Sequence, residues 1–306
     1  MTGYRTLLEE IAVSRLVGTA DHAKVRDLLT SELKARGFVV MEQRFPARPS
    51  PPLWGPPAAE GVSLIAVRPR ARVTVWLTAH YDAKGQPLSM AARLVVAAGC
   101  AVAVVAALAG LIAGGPPIVA APAAALAALF VGLNRITARS PGAVDNGAGV
   151  LTVLATVDAL PPDATVGVVL LDAEEYGLLG ARVLVRERAH LLRDAAVINF
   201  DGIDDRGPVI AFIHRGGPTV DRVAGALGAR RARWLPVVVD GLVLARAARE
   251  CVTVMRGDWG TARVVHTPRD TVARLTLAGV HEVAARVAEA LREVRRWRVD
   301  DTPSRV

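Results

Sequence analysis

The chain of 306 residues has only two cysteines, Cys100 and Cys251, which excludes a disulfide framework. Aromatic residues make up 4%, too few for a nucleic-acid surface built on base stacking. Charged residues are absent altogether between Leu94 and Asn134. The first ten residues, MTGYRTLLEE, lack a basic stretch followed by an apolar one, so a cleaved secretory signal is not expected. Against these absences stand 52% hydrophobic and 22% charged residues, which exclude a disordered or fibrous chain. The length suits one large α/β domain or two ordinary ones. The net charge of +8 comes mostly from Arg, and no basic run coincides with a nucleic-acid module. No nucleic-acid partner is therefore expected.

The uncharged stretch is closed by Arg93 and Arg135 and broken by Gly114-Gly115-Pro116-Pro117. As a helix, residues 94–115 would reach about 33 Å at about 1.5 Å per residue, enough for a hydrocarbon core of about 30 Å. Residues 118–133 would reach about 24 Å and contain Pro122, so their length is marginal. The expectation is an apolar helical hairpin at 93–135, inserted in a membrane and touching lipid through residues 94–133. The alternative is an Ala-rich helix pair packed on the protein or in a dimer. Arg93 on one side and Arg135 and Arg139 on the other, with an uncharged turn between, place the main domain in the cytoplasm by the positive-inside tendency.

The remainder, 1–92 and 136–306, alternates strands and helices. Helices are expected at 4–12, 21–36, 147–159, 177–189, 220–227 and 277–297. The last is amphipathic through Val280, Val283, Val287, Leu291 and Val294. Strands are expected at 62–67, 73–79, 165–171, 197–200, 209–213, 236–239, 252–255 and 262–265, with a Pro-rich loop at 46–57. This alternation implies an α/β fold: three layers, helix–sheet–helix, around a central mixed, largely parallel sheet. Such sheets bind ligands beyond the carboxyl ends of their strands.

Five strand ends or loops carry groups that can ligate a metal. Strand 73–79 runs into His80-Tyr81-Asp82, and residues two apart in extended chain share a face, so Asp82 can hold one ring nitrogen of His80 while the other binds a cation. Asp145 precedes a helix, where it is either an N-cap or a carboxylate shared by two cations. Asp172-Ala173-Glu174-Glu175 follows a buried strand; paired acids there are costly unless neutralised. Asp201 and His266 close two further strands. Each alone has a plain reading as a loop or cap residue. Together His80, Asp145, Glu175, Asp201 and His266 form an N/O donor set suited to two divalent ions, zinc or a relative. Glu174 is then placed to act as general base and proton carrier in hydrolysis. His22, His190, His214 and His281 read as structural or solvent-facing.

The ordered set His80-Tyr81-Asp82, Pro141-Gly142-Ala143-Val144-Asp145-Asn146, Glu174-Glu175-Tyr176-Gly177-Leu178-Leu179-Gly180, Asp201 and His266-Thr267-Pro268-Arg269-Asp270-Thr271 resembles the co-catalytic zinc aminopeptidases. These are the aminopeptidase Y and bacterial leucyl aminopeptidase type, related to glutamate carboxypeptidase and glutaminyl cyclase. Residues 14–19 and the helix that follows also resemble the start of that family. The resemblance implies one zinc on His80 and Asp201 and another on Glu175 and His266, with Asp145 bridging. It implies Glu174 as general base, Asp82 as the partner of His80, and a non-proline cis bond at Asp145–Asn146. It implies a metal-dependent exopeptidase, in the first place an aminopeptidase acting on a peptide substrate. The alternatives are a glutaminyl-cyclase-like zinc acyltransferase and a non-catalytic membrane binding protein on a peptidase fold. Two departures stand out: the insert separates His80 from Asp145 far more than usual, and Val144 replaces a polar residue. Nothing in the sequence sets an oligomeric state.

Overall fold

The computed structural model describes residues 3–69 and 72–300, with side chains through residue 292. Its elements are α1 (Tyr4–Ile11), α2 (Ala20–Ala35), β1 (Val39–Ala47), β2 (Ala59–Val67), β3 (Val75–His80), α3 (Met90–Ile112), α4 (Ala121–Gly132), α5 (Gly149–Ala159) and β4 (Val166–Leu171). There follow α6 (Leu179–Arg188), β5 (Ala196–Ile203), β6 (Val209–Arg215), α7 (Pro218–Ala226), β7 (Arg230–Ala232), α8 (Gly241–Leu244), β8 (Glu250–Arg256), α9 (Trp259–Ala262) and α10 (Ala278–Asp300).

The eight strands form one sheet in the order β1-β2-β4-β3-β5-β8-β6-β7. Its centre, β4-β3-β5-β8, is parallel; β1 pairs antiparallel with β2, β2 with β4 and β6 with β8, whereas β7 runs parallel to β6. Leu77, Ala79, Leu170 and Ile198 face the layer of α1, α2, α5, α7 and α10, whereas Trp76, Val169, Leu171 and Val197 face α6 and α8. The alternation follows from the period of two in extended chain. Both faces are covered, so the central strands are apolar throughout. The expected three-layer α/β fold is what the chain adopts. β4 and β5 flank β3 on opposite sides, so the crossovers diverge at β3, and its carboxyl end is the natural ligand position.

Several expected elements differ. Residues 236–239 form no strand; they run as irregular chain into α8, where Gly241 lies against Thr253 and His214. Residues 262–265 are the end of α9 and the turn after it, because Asp258 and Thr261 form a capping box that starts a helix there. β1 was not expected; its burial alternates only over its second half, ending in Phe45 and Ala47. It takes residues 46–47 from the expected loop. Val294 lies outside the described side chains.

Among the described residues, α3 alone is long and apolar enough to cross a membrane. It is only 6% buried, so it stands off the domain rather than packing into it. α4 is shorter and packs against α3. Arg93 joins their bases, its guanidinium donating to Oδ1 of Asn134 at 2.8 Å and to Gln86.

Candidate metal centre

His80 ends β3, Glu174 and Glu175 follow β4 in a short turn, and Asp201 lies near the end of β5. Asp145 sits in the turn before α5, and His266 follows α9 with φ +66°. All seven residues singled out in the sequence, Asp82 included, are buried and converge at one end of the sheet.

Nε2 of His80 lies 3.2 Å from Oδ1 of Asp145 and 3.9 Å from Oδ1 of Asp201. Nε2 of His266 lies 3.1 Å from Oδ2 of Asp145 and 3.3 Å from Oε1 of Glu175. Two triads result, His80–Asp145–Asp201 and Asp145–Glu175–His266, each with its ligand atoms within 4.8 Å of one another. Asp145 belongs to both and turns a different oxygen to each.

The surroundings fix these side chains. Nδ1 of His80 donates to the carbonyl of Asp82 at 3.2 Å, which orients the ring and turns Nε2 toward the cluster. The Asp82 carboxylate in turn accepts the N–H groups of Glu174 (3.2 Å) and Glu175 (3.1 Å). Asp270 accepts the N–H groups of Val144 (2.7 Å) and Asp145 (3.2 Å). The Asp145–Asn146 bond is cis, and the Asn146 side chain donates to Phe200 O and accepts from Gly202 N, tying the turn to β5. Gly142 has φ +62°, and a Cβ there would lie 2.4 Å from Asp145 O, so a side chain would displace the carboxylate-bearing turn.

Arg15 is buried beneath the site. It donates to the carbonyls of Tyr81 (2.5 Å), Gly142 (2.8 Å) and Pro141, so one guanidinium joins the His80 and Asp145 loops.

The electrostatics call for cations. Asp82, Asp145, Glu174, Glu175, Asp201 and Asp240 are all buried. Burial pushes Glu174 well above the usual carboxylate range; His80 opposes this and neighbouring carboxylates add to it. Burial likewise raises Asp240, to about 8. Burial also works to raise Asp145, but hydrogen bonds from His266 and His80 outweigh it and hold the group well below its ordinary value. Oε1 of Glu175 is buried and has no hydrogen-bond partner among the described residues, though it points at the cluster. An orphaned carboxylate oxygen beside imidazole nitrogens and an excess of buried acids fit divalent ions with N/O ligands.

Two residues escaped the sequence reading. Lys84 Nζ lies 2.6 Å from Oε2 of Glu175, both buried. Its signal was available: His80, Asp82 and Lys84 are spaced two apart along the extended chain leaving β3. Asp240 is buried with both oxygens unpartnered among the described residues and within electrostatic reach of His80 and Asp201. It immediately follows the irregular segment 236–239 that was expected as a strand, where periodicity carries no information.

The profile of peptidase family M28 matches residues 64–291, the greater part of the chain and all seven positions. The chain belongs to peptidase family M28. Members are metal-dependent peptidases, which accords with the donor set. No curated protein matches. Among solved structures, the chain is similar to glutaminyl cyclase from Porphyromonas gingivalis (18% identity, TM-score 0.61, covering 95% of this chain and 97% of that one). It is similar to a zinc aminopeptidase from Bacillus subtilis (14%, 0.63, 95% and 94%) and to a Zn-dependent exopeptidase from Parabacteroides distasonis (16%, 0.62, 94% and 96%). At these identities the likeness is one of fold.

Proposed function

We propose that this M28 member is a membrane-anchored exopeptidase, in the first place an aminopeptidase, using two divalent ions, zinc or a relative. Residues 1–92 and 136–306 form its catalytic domain, and 93–135 its anchor. His80 and Asp201 would hold one ion, Glu175 and His266 the other, and Asp145 both. The observation that carries this is the division of the Asp145 carboxylate, Oδ1 toward His80 and Oδ2 toward His266. When bound, the ions supply Lewis acidity that polarises a scissile carbonyl and acidifies water. Glu174 takes the proton of the attacking water and returns it to the leaving amine, a role suited by a carboxyl group that burial makes basic. Asp82 keeps the His80 ring oriented. Metal analysis of the purified chain, with a screen of aminoacyl and peptide substrates, tests the reading: two ions per chain and release of N-terminal residues are expected.

One observation favours a second reading. The Lys84 ammonium against Glu175 already supplies a positive charge to that half of the site, so a single ion would leave less charge unbalanced. A glutaminyl-cyclase-like acyl transfer would then show one tightly held ion and cyclisation of N-terminal Gln. The presence of two complete triads weighs against it, since a single ion leaves one of the two ligand groups unused.

The low burial of α3 and the Arg residues at both bases of the hairpin support a membrane span with the catalytic domain in the cytoplasm. Protease treatment of intact and opened cells tests the orientation: the domain should be cut only after opening.

A further inference from the structure

We propose that a collar of two tryptophans and their neighbouring arginines, Trp54 with Arg135 and Trp259 with Arg263, seats the base of the hairpin, and with it the metal-bearing domain, on an anionic phospholipid surface. This rests on the membrane reading of the hairpin and adds where the bilayer surface lies and what it touches.

Trp54 and Trp259 come from distant parts of the chain, yet both stand at the base of the hairpin. Nε1 of Trp54 donates to Val131 O in the last turn of α4 at 3.0 Å, and the Arg135 guanidinium lies 5.6 Å from its ring centre. Trp259 and Arg263, on and just after α9, line a groove with Leu88, just before α3, and Val95 and Val96 on it. The rings are 44% and 50% exposed, although large aromatics gain most from burial. From that groove outward the helix surface is apolar: Val95 is 61% exposed, Val102 70% and Ile112 87%. From Val95 to Ile112 α3 rises about 27 Å at about 1.5 Å per residue. That nearly fills a hydrocarbon core of about 30 Å, so the boundary falls where the tryptophans stand. Tryptophan at the boundary of an apolar span, beside arginine, is the arrangement that favours the headgroup layer, and arginine adds attraction to anionic lipid.

The collar is bolted to the site. Met90 N donates to Val265 O at 3.4 Å and Gln86 N to His266 O at 2.9 Å. Gly85 and Thr137 exchange both backbone hydrogen bonds, at 2.6 and 2.8 Å, joining the two strands of chain that connect hairpin and centre. Arg263 is three residues from His266, and Arg135 ten from Asp145. A surface contacting the collar is therefore tied through short stretches of chain to the ligands His266 and Asp145.

The full chain is reconstituted in vesicles of phosphatidylcholine and phosphatidylglycerol (3:1) carrying a shallow nitroxide quencher of Trp fluorescence. The wild type should be quenched, Trp54→Phe and Trp259→Phe together should lose most of that quenching, and Trp234→Phe, which alters an exposed ring on the β7–α8 segment, should keep it. In pure phosphatidylcholine the Trp54 and Trp259 contribution should fall. Protein that floats with the vesicles while the double variant is quenched like wild type overturns the collar and spares the anchor. Equal quenching in both lipids overturns the anionic preference. Protein that fails to float overturns the anchor itself, and the collar with it. A lipid-free dimer that shields Trp259 from acrylamide assigns the surface to a second copy and overturns the proposal.

Discussion

The ammonium of Lys84 lies 2.6 Å from Oε2 of Glu175, and both side chains are buried. This pair leaves Oε1 of Glu175 as its free oxygen, turned toward His266. Removing one partner of a buried pair leaves the other charge uncompensated, at about 3–5 kcal/mol. Lys84→Met should therefore lose about that much stability in metal-free protein, and clearly less in zinc-loaded protein, where a cation replaces the missing charge. Thermal unfolding in detergent, with and without chelator, measures both. An equal loss in the two states would show that no ion reaches Glu175.

Glu174 is separable from the ligands, because it belongs to neither triad. Glu174→Gln keeps shape and removes the base. Hydrolysis should fall by about 10²–10⁴, the usual contribution of a general base, while bound metal stays at the wild-type level. Metal analysis beside turnover decides it: unchanged turnover discards the role, and loss of metal would move Glu174 among the ligands. Chelation of the wild type should remove activity and lower the melting temperature, since ions that bind only the folded chain stabilise it.

The readable parts of the sequence were those with a strict period or a sharp end. The runs at 75–80 and 166–171 are apolar on both faces because the sheet is covered twice, so their ends, His80 and the Glu174–Glu175 turn, were easy to place. β1 was hidden because its outer half is exposed and Pro46 falls within it. Residues 236–239 misled through composition: three valines in a row suggest a strand, yet Val238 is 67% exposed and only Val239 is buried. Asp240 was lost with that segment. Arg15 was visible only as part of the family-like start, since a lone arginine between two helices has no local signature; its bonds to Tyr81 and Gly142 span more than sixty residues.

Arg15 gives a third prediction. Its guanidinium serves three loop carbonyls, those of Tyr81, Pro141 and Gly142, of which that of Gly142 keeps a second donor in Gly147 N. Each unpaired group costs about 1–3 kcal/mol. Arg15→Met should cost about 3–5 kcal/mol and weaken metal retention against a competing chelator, because the His80 and Asp145 loops lose their common tie. Arg15→Lys should recover only part, as an ammonium lacks the planar fork that reaches several carbonyls. Full recovery by Lys would reduce the role of Arg15 to that of a counter-charge for the acids above it.

His214 offers a test on pH away from the metal centre. Burial holds its pKa down at about 4, and Nε2 lies 2.8 Å from Oγ1 of Thr253. In the unfolded chain the same ring titrates near 6.5. Between these values the unfolded state binds a proton that the folded state refuses, so stability falls as pH drops through this window and levels off below about 4. The ring is partly exposed, so solvent screening trims the effect to about 1–2 kcal/mol. Unfolding of wild type and His214→Gln at pH 7 and pH 4 should therefore show a smaller acid-side loss in the variant. Parallel losses would mean that His214 takes up its proton in the folded protein, and that β6 and β8 open locally to admit it.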